Sequence, residues 1–425
     1  MTTDPIPLAI VGCGGMGHRH LFGLSELQQA GFSPFELVGA CDPVAANAES
    51  LADEAEARLG RRPAVVGSLE DLEPLGVAAV DITTTPSHHH RLAVEALERG
   101  WHVMVEKPMG LTVRACQAIL EAGQQAGRVV SVAENYRRDP INRLAKALIQ
   151  AGVIGAPRFL IHNAVGGGDK MVISVWRHRK DQSGLLLDVG VHYADMMEYL
   201  LGPITAVYAQ TRLHEPVRHN PGAGREEGAT SNPAGVYGRW QKEMPATFSA
   251  DAEDAAYATV LFASGAVGQY IEDHAGHGEP LWQRRIYGSR GSLDLPHDRS
   301  GQPLRLKLAD RDQVIEDGSI LELVPDFRLD PILGALFGGE RLWRYDFSFA
   351  ETDRKLIAYE YGEFGNAIAG DGQVEVDAAQ GARSVAISYA LLESGVAGRA
   401  VTVDEVLRGE LNAYQQEIDA GLFAD

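Results

Sequence analysis

Short apolar runs alternate with helix-period stretches along the first third of the chain. Strands are predicted over residues 8–11, 37–41, 65–66, 77–82, 102–105 and 129–133, with amphipathic helices over 45–59, 90–99 and 113–126 between them. Gly31, Gly60, Gly100 and Gly127 stand where helices should stop, because a left-handed residue there satisfies the last carbonyls without a Cβ clash. Strand–helix–strand repetition of this kind needs a parallel sheet covered by helices on both faces. The pattern therefore predicts an α/β fold, a Rossmann-type doubly wound sheet over residues 1–135.

Past that point the rhythm changes. A linking helix is predicted over 141–151, a strand over 158–165 and one helix over 184–201. Strand-like runs at 204–212, 257–262, 266–271 and 283–287 follow, separated by turns with no helix between them. That spacing predicts a second, α+β domain over 136–425 with a large, mainly antiparallel open sheet. Polar stretches at 214–251 and 296–344, rich in Gly, Pro, Asn and Glu, read as irregular insertions. Helices at 351–369 and 378–397 close the chain and are free to pack back on the first domain.

Composition narrows the function. The 425 residues carry 38 Lys plus Arg against 58 Asp plus Glu, a formal charge of −20. Such a field repels nucleic acid and anionic lipid, so neither is expected as a partner. No basic-then-apolar leader opens the chain, and no apolar run is long enough for a membrane span. Cys13, Cys41 and Cys116 have neither disulfide-framework nor zinc-site spacing. A reducing cytoplasm is the simplest expectation, and no metal site is expected.

The run Gly12-Cys-Gly14-Gly15-Met16-Gly17 follows the first strand and opens a helix. In that context G-x-G-x-x-G signals a dinucleotide: Gly12 for the turn, Gly14 for approach to a pyrophosphate, Gly17 for helix–strand packing. The alternative is a glycine-rich turn without a ligand. Asp42 ends the second strand, where a carboxylate accepts from ribose hydroxyls and repels a 2′-phosphate. NAD is therefore expected over NADP, although Asp42 would also serve as a helix cap.

Lys107 follows the strand at 102–105 and precedes Pro108, which holds it extended at the sheet edge where ligands bind. A solvated loop lysine is the alternative. Asp188 and His192, four residues apart on a predicted helix, would share a face as a carboxylate–imidazole acid/base pair. A surface ion pair is the bland counterpart.

Taken together, these motifs resemble the glucose–fructose oxidoreductase, inositol dehydrogenase and MocA (Gfo/Idh/MocA) family. The resemblance rests on Gly12–Gly17, Thr84-Thr85-Pro86-Ser87-His88-His89-His90, Glu106-Lys107-Pro108, Glu134-Asn135-Tyr136-Arg137, Trp176-Arg177 and Asp188-x-x-x-His192. It implies that Lys107 touches the nicotinamide ribose and the reacting hydroxyl, and that His192 is the base supported by Asp188. It further implies that Thr84, Thr85, Pro86, His89 and Glu106 border the cofactor. Asn135, Trp176 and Arg177 would line its nicotinamide end, while Tyr136 and Arg137 face the substrate. Homodimers or homotetramers are implied as well. One departure is that Gln182-Ser183-Gly184 stands where the family often has a glycine run.

Lys170, Arg177, His178, Arg179 and Lys180 form a basic cluster in this acidic chain, with Lys170 and Arg179 as candidate contacts for an anionic sugar. His274, His277, Trp282 and Arg284 are further substrate candidates. A solvated surface or subunit contact is the alternative for these residues. The expected activity is hydride transfer between NAD and a hydroxyl-bearing ring carbon of a sugar or cyclitol. Two alternatives use the same residues: an NAD-dependent glycoside hydrolase working through transient oxidation, and a sugar sensor without turnover.

Overall fold

A computed structural model describes residues 5–226 and 232–424. Strand β1 (Ile6–Val11) leads into α1 (Gly15–Gln29), β2 (Phe35–Cys41), α2 (Ala45–Leu59) and β3 (Ala64–Val66). The chain then crosses to β4 (Ala79–Ile82), α3 (Pro86–Glu98), β5 (His102–Glu106), α4 (Val113–Ala126) and β6 (Val130–Ala133). All six strands are parallel in the order β3-β2-β1-β4-β5-β6. The order reverses between β1 and β4, so the loops after these strands open a crevice at the carboxyl edge. Gly31, Gly60, Gly100 and Gly127 all have positive φ, as the stop positions require. The predicted helix over 90–99 begins earlier, at Pro86, because proline at the first helical position needs no amide partner. The three histidines His88–His90 therefore lie on α3 and not ahead of it.

The chain divides into two compact units, one running through Asn135 together with Ala350–Ala382, the other Tyr136–Phe349 with the remainder from Arg383. In the second unit, α5 (Pro140–Gln150) precedes β7 (Pro157–Gly167), then α6 (Leu185–Asp188) and α7 (Gly190–Leu201). Next come β8 (Ile204–Arg212), β9 (Val217–His219), α8 (Gly238–Gln241), β10 (Thr247–Ser249), β11 (Ala255–Phe262) and β12 (Val267–Gly276). β13 (Leu281–Gly288), β14 (Gly291–Leu295), β15 (Arg305–Leu308), β16 (Val314–Ile315) and α9 (Pro331–Phe337) follow. Helix α10 (Phe349–Ala369), α11 (Ala378–Ala397) and β17 (Val401–Thr402) come last of the elements used below. Nine strands form one sheet in the order β16-β15-β14-β13-β7-β12-β11-β8-β17, with β7–β12 parallel and the other pairings antiparallel.

Two expectations are corrected. The helix over 184–201 is two pieces: α6 ends at Asp188, and α7 restarts at Gly190 after Val189. The insertions are not wholly irregular. The first pairs β9 with β10, and the second adds β15 and β16 to the sheet and contains α9. Their strand content escaped notice because turn residues outnumber the few alternating positions. Residues 227–231 of the first insertion lie outside the described residues.

Helix α7 is buried on nearly every side, from Gly190 to Leu201, as an apolar all-round helix must be. Among the described residues no helix is long and apolar enough to cross a membrane.

Candidate active site

The glycine run sits at the carboxyl edge of β1. Gly12 has φ +98°, and a Cβ there would lie 2.8 Å from the Thr84 amide nitrogen. A Cβ on Gly17 would lie 2.3 Å from the Gly12 carbonyl oxygen, so α1 packs directly on its own loop. Nothing lies within 4 Å of a Cβ placed on Gly14. The loop thus presents bare backbone to open space in front of a helix N-terminus, where Gly15 and Met16 begin α1. A pyrophosphate needs that combination of close approach and positive dipole end. The residues present fit a dinucleotide.

Asp42 is buried and holds this loop in place. Its Oδ2 accepts from the Cys13 amide at 2.9 Å and its Oδ1 from the Val44 amide at 2.8 Å. Helix α2 has Val44 at its N-cap with no side-chain cap, so Asp42 ties β2 to the glycine turn and does not cap the helix. Thr83, which sequence reasoning passed over, donates from its hydroxyl to the Gly12 carbonyl at 2.6 Å.

Thr85 is the N-cap of α3 and Pro86 its first residue. His89 is fully buried, its ring nitrogens 3.1 Å from the Thr84 carbonyl and 2.9 Å from the Pro108 carbonyl. It links the turn at 84–86 to the turn at 106–108, and burial pushes its pKa below the ordinary value. His88 is exposed and His90 half-buried. Lys107 is half-buried at the carboxyl end of β5, joined to Pro108 by a cis peptide.

Glu106 turns inward. Its Oε1 lies 3.1 Å from His20 Nε2, while His20 Nδ1 lies 2.9 Å from Asp81 Oδ2. Tyr361 also donates to Asp81. Burial alone would lower the His20 pKa, but carboxylates at both ring nitrogens outweigh it and raise the value well above the usual range. For Glu106, burial opposes ionisation, yet the hydrogen bond from His20 and the nearby cations hold its pKa down. His20 and Asp81 were missed. Their only sequence signal is polar side chains at inward-facing positions of a core helix and a core strand. Asn135 ends this unit with its Oδ1 buried and unpartnered, an acceptor suited to an amide such as nicotinamide's.

In the second unit, His192 stacks on Tyr136 with ring centroids 4.1 Å apart and planes 3° from parallel. Asp188 is buried and receives Arg177 Nη1, and the Arg177 guanidinium also lies 4.5 Å from the Trp176 ring. Arg137 forks onto Asp195, with Nε 2.7 Å from Oδ2, so its guanidinium is directed to a buried carboxylate on α7.

The basic cluster does not converge. Lys170 is exposed, and Arg179 pairs with Asp251 at 2.9 Å. Lys180 lies 4.1 Å from the Tyr414 ring centroid. His178 is buried and accepts the Val172 amide at 3.0 Å; burial and nearby cations push its pKa down to about 3. Of the further candidates, His274 meets buried Glu272 at 2.7 Å and His277 meets Glu215 at 2.9 Å. Trp282 and Arg284 face the helices from β13.

Comparison with known proteins matches the chain twice to one family. Residues 6–134 match the oxidoreductase family with an NAD-binding Rossmann fold, and residues 142–294 match the GFO/IDH/MocA C-terminal domain. A levoglucosan dehydrogenase of Pseudarthrobacter phenanthrenivorans is 29% identical over 409 residues, covering 94% of this chain and 98% of the relative. The scyllo-inositol 2-dehydrogenase (NAD(+)) of Bacillus subtilis is 31% identical over 206 residues, covering 48% of this chain and 57% of that one. A levoglucosan dehydrogenase solved with NADH and L-sorbose superposes with a TM-score of 0.72 at 25% identity, over 94% of this chain and 98% of the other. A parallel sheet with an open glycine cradle, followed by a mixed nine-stranded sheet, both matched by profiles of one family, leads to a single conclusion: the chain belongs to the Gfo/Idh/MocA family of NAD-dependent oxidoreductases.

Proposed function

We propose that this enzyme oxidises a ring hydroxyl of a sugar or cyclitol. The observation that carries the reading is the near full-length likeness to a levoglucosan dehydrogenase, together with a Gly14 cradle open to a dinucleotide. NAD⁺ bound on the glycine loop would supply the hydride acceptor. His192 takes the hydroxyl proton as the base, and its stack on Tyr136 fixes the plane of the ring. Asp188, neutralised by Arg177, keeps a carboxylate on the same segment to favour the imidazolium. Lys107 orients the substrate hydroxyl by donating to its oxygen. Asn135 offers its buried acceptor to the carboxamide of the nicotinamide. The functional assembly on this reading is a homodimer or homotetramer, which sedimentation velocity reads directly.

The test follows NADH absorbance and aglycone release in parallel, with NAD⁺ and a panel of sugars, cyclitols and aryl glycosides. Stoichiometric NADH is expected. Aglycone release without NADH would transfer the same residues to redox-neutral hydrolysis. Lys107→Ala and His192→Ala should each abolish turnover while NAD⁺ affinity stays within about threefold, a change below 1 kcal/mol. Wild-type rates in both variants would overturn the assignment.

A further inference from the structure

Four buried polar atoms of one side-chain cluster in the second unit have no partner: His162 Nε2, Trp282 Nε1, Arg284 Nη2 and Asp298 Oδ2. The cluster is continuous. Arg284 donates to Asp298 Oδ1 at 2.7 Å and to His162 Nδ1 at 3.4 Å. The His162 and Trp282 ring centroids are 5.3 Å apart, and Tyr193 lies 4.4 Å from the first and 5.8 Å from the second. His297 covers Trp282 at 4.4 Å. Buried polar groups are ordinarily paired, and four orphans in one place call for a polar occupant.

The orphans define what that occupant must be. His162 receives Arg284 on Nδ1, and full burial beside that cation pushes its pKa well below the ordinary value. The neutral ring therefore carries its proton on Nε2 and is a donor there. Trp282 and Arg284 add two further donors, and Asp298 is an acceptor. Arg284 and Asp298 cancel in charge. Hydroxyl groups, which accept and donate at once, satisfy such a set; an anion would meet the Asp298 carboxylate.

The cluster is also reachable. A cleft of about 550 Å³ at the ends of β13 and β14 is lined by Trp282 and Arg284, with Gln302 and Arg305 on the connection that follows. That volume suits a small ligand. The wall is close to the proposed base: Tyr193 follows His192 on α7, and Tyr136, stacked on His192, carries the Arg299 guanidinium 4.8 Å from its ring centroid. His297, Asp298 and Arg299 lie beyond the residues matched by the family's C-terminal profile.

We propose that Trp282, Arg284, His162 and Asp298 form a subsite for the hydroxyls of a neutral polyhydroxylated ring, and that Trp282 and Asp298 set the enzyme's substrate specificity. The inference rests on the sugar-dehydrogenase reading above and narrows its substrate class to uncharged rings.

The experiment measures calorimetric binding, with NADH present, and NAD⁺-dependent turnover of levoglucosan, myo-inositol, 1,5-anhydroglucitol and glucuronate. Wild type is compared with Trp282→Phe and Asp298→Asn, each retained only if its circular dichroism and NAD⁺ affinity match wild type. Loss of one hydrogen bond should weaken the bound neutral ring, and raise its KM, about fivefold with kcat within about twofold. Deoxy analogues lacking the contacted hydroxyl should erase that difference. If Asp298→Asn does not fold, Trp282→Phe alone carries the test. Binding that depends on Trp282 without any turnover sustains the subsite and removes the dehydrogenase reading. Turnover with identical KM in wild type and folded variants removes the subsite and leaves the dehydrogenase. Tighter binding of glucuronate than of every neutral ring, or no binding of any neutral ring, also overturns the proposal, leaving water as the occupant.

Discussion

His20 allows a sharp test of the first unit's core. The ring is fully buried between Asp81 Oδ2 at 2.9 Å and Glu106 Oε1 at 3.1 Å. His20→Gln removes the countercharge and leaves two carboxylates in a water-excluded site with one amide between them. Removing one partner of a buried ion pair costs about 3–5 kcal/mol. For a domain of this size each kcal/mol shifts Tm by about 2–4 °C, so the loss should be about 6–20 °C. The effect carries a pH signature. The folded pKa of His20 is raised above its unfolded value, so the folded state holds a proton that the unfolded state releases above about pH 6.5. The stabilisation is complete below that pH. It declines by about 1.4 kcal/mol per unit as pH rises toward the folded pKa. Differential scanning calorimetry of wild type and His20→Gln at pH 6 and pH 8.5 should therefore give a Tm gap that narrows at the higher pH. A gap under about 2 °C at pH 6, or one equal at both pH values, would refute the buried imidazolium.

Three further substitutions separate packing from binding. Gly14→Ala places a methyl in open space, so Tm should hold within about 2 °C, a loss under 0.5 kcal/mol, while NAD⁺ affinity measured by fluorescence titration falls at least about tenfold. Gly17→Ala drives a Cβ to 2.3 Å from the Gly12 carbonyl and should cost about 1–3 kcal/mol in urea unfolding; no loss would show that the loop yields freely. Arg177→Leu strips the buried Asp188 of its cation and should destabilise the second unit by about 3–5 kcal/mol. The Asp188→Asn partner should recover most of it, and an absent recovery would remove the pair from the account.

Whatever depends on neighbours along the chain was legible beforehand. The apolar runs and helix periods located β1 through β6, because backbone geometry repeats every two or 3.6 residues regardless of the rest of the molecule. The glycine loop was readable for the same reason: a turn with positive φ at Gly12 is a local demand. The break between Asp188 and His192 was not, because a helical period of four spans a one-residue interruption without trace. Charge likewise misled at 170–180. The five side chains share a stretch of sequence but go to Asp188, Asp251, Tyr414, a backbone amide and solvent.

By itself, the sequence determined a doubly wound domain with a dinucleotide turn and a strand-rich domain behind it, since those follow from short-range sterics and hydrophobic period. Only tertiary structure decided which buried charges meet. His20 finds Asp81 and Glu106 at separations of 61 and 86 residues, and Arg284 finds His162 across 122. No spacing rule encodes such pairs. They are set when separate strands and helices desolvate their polar groups together, and each must then be matched within the core or left for a ligand to match.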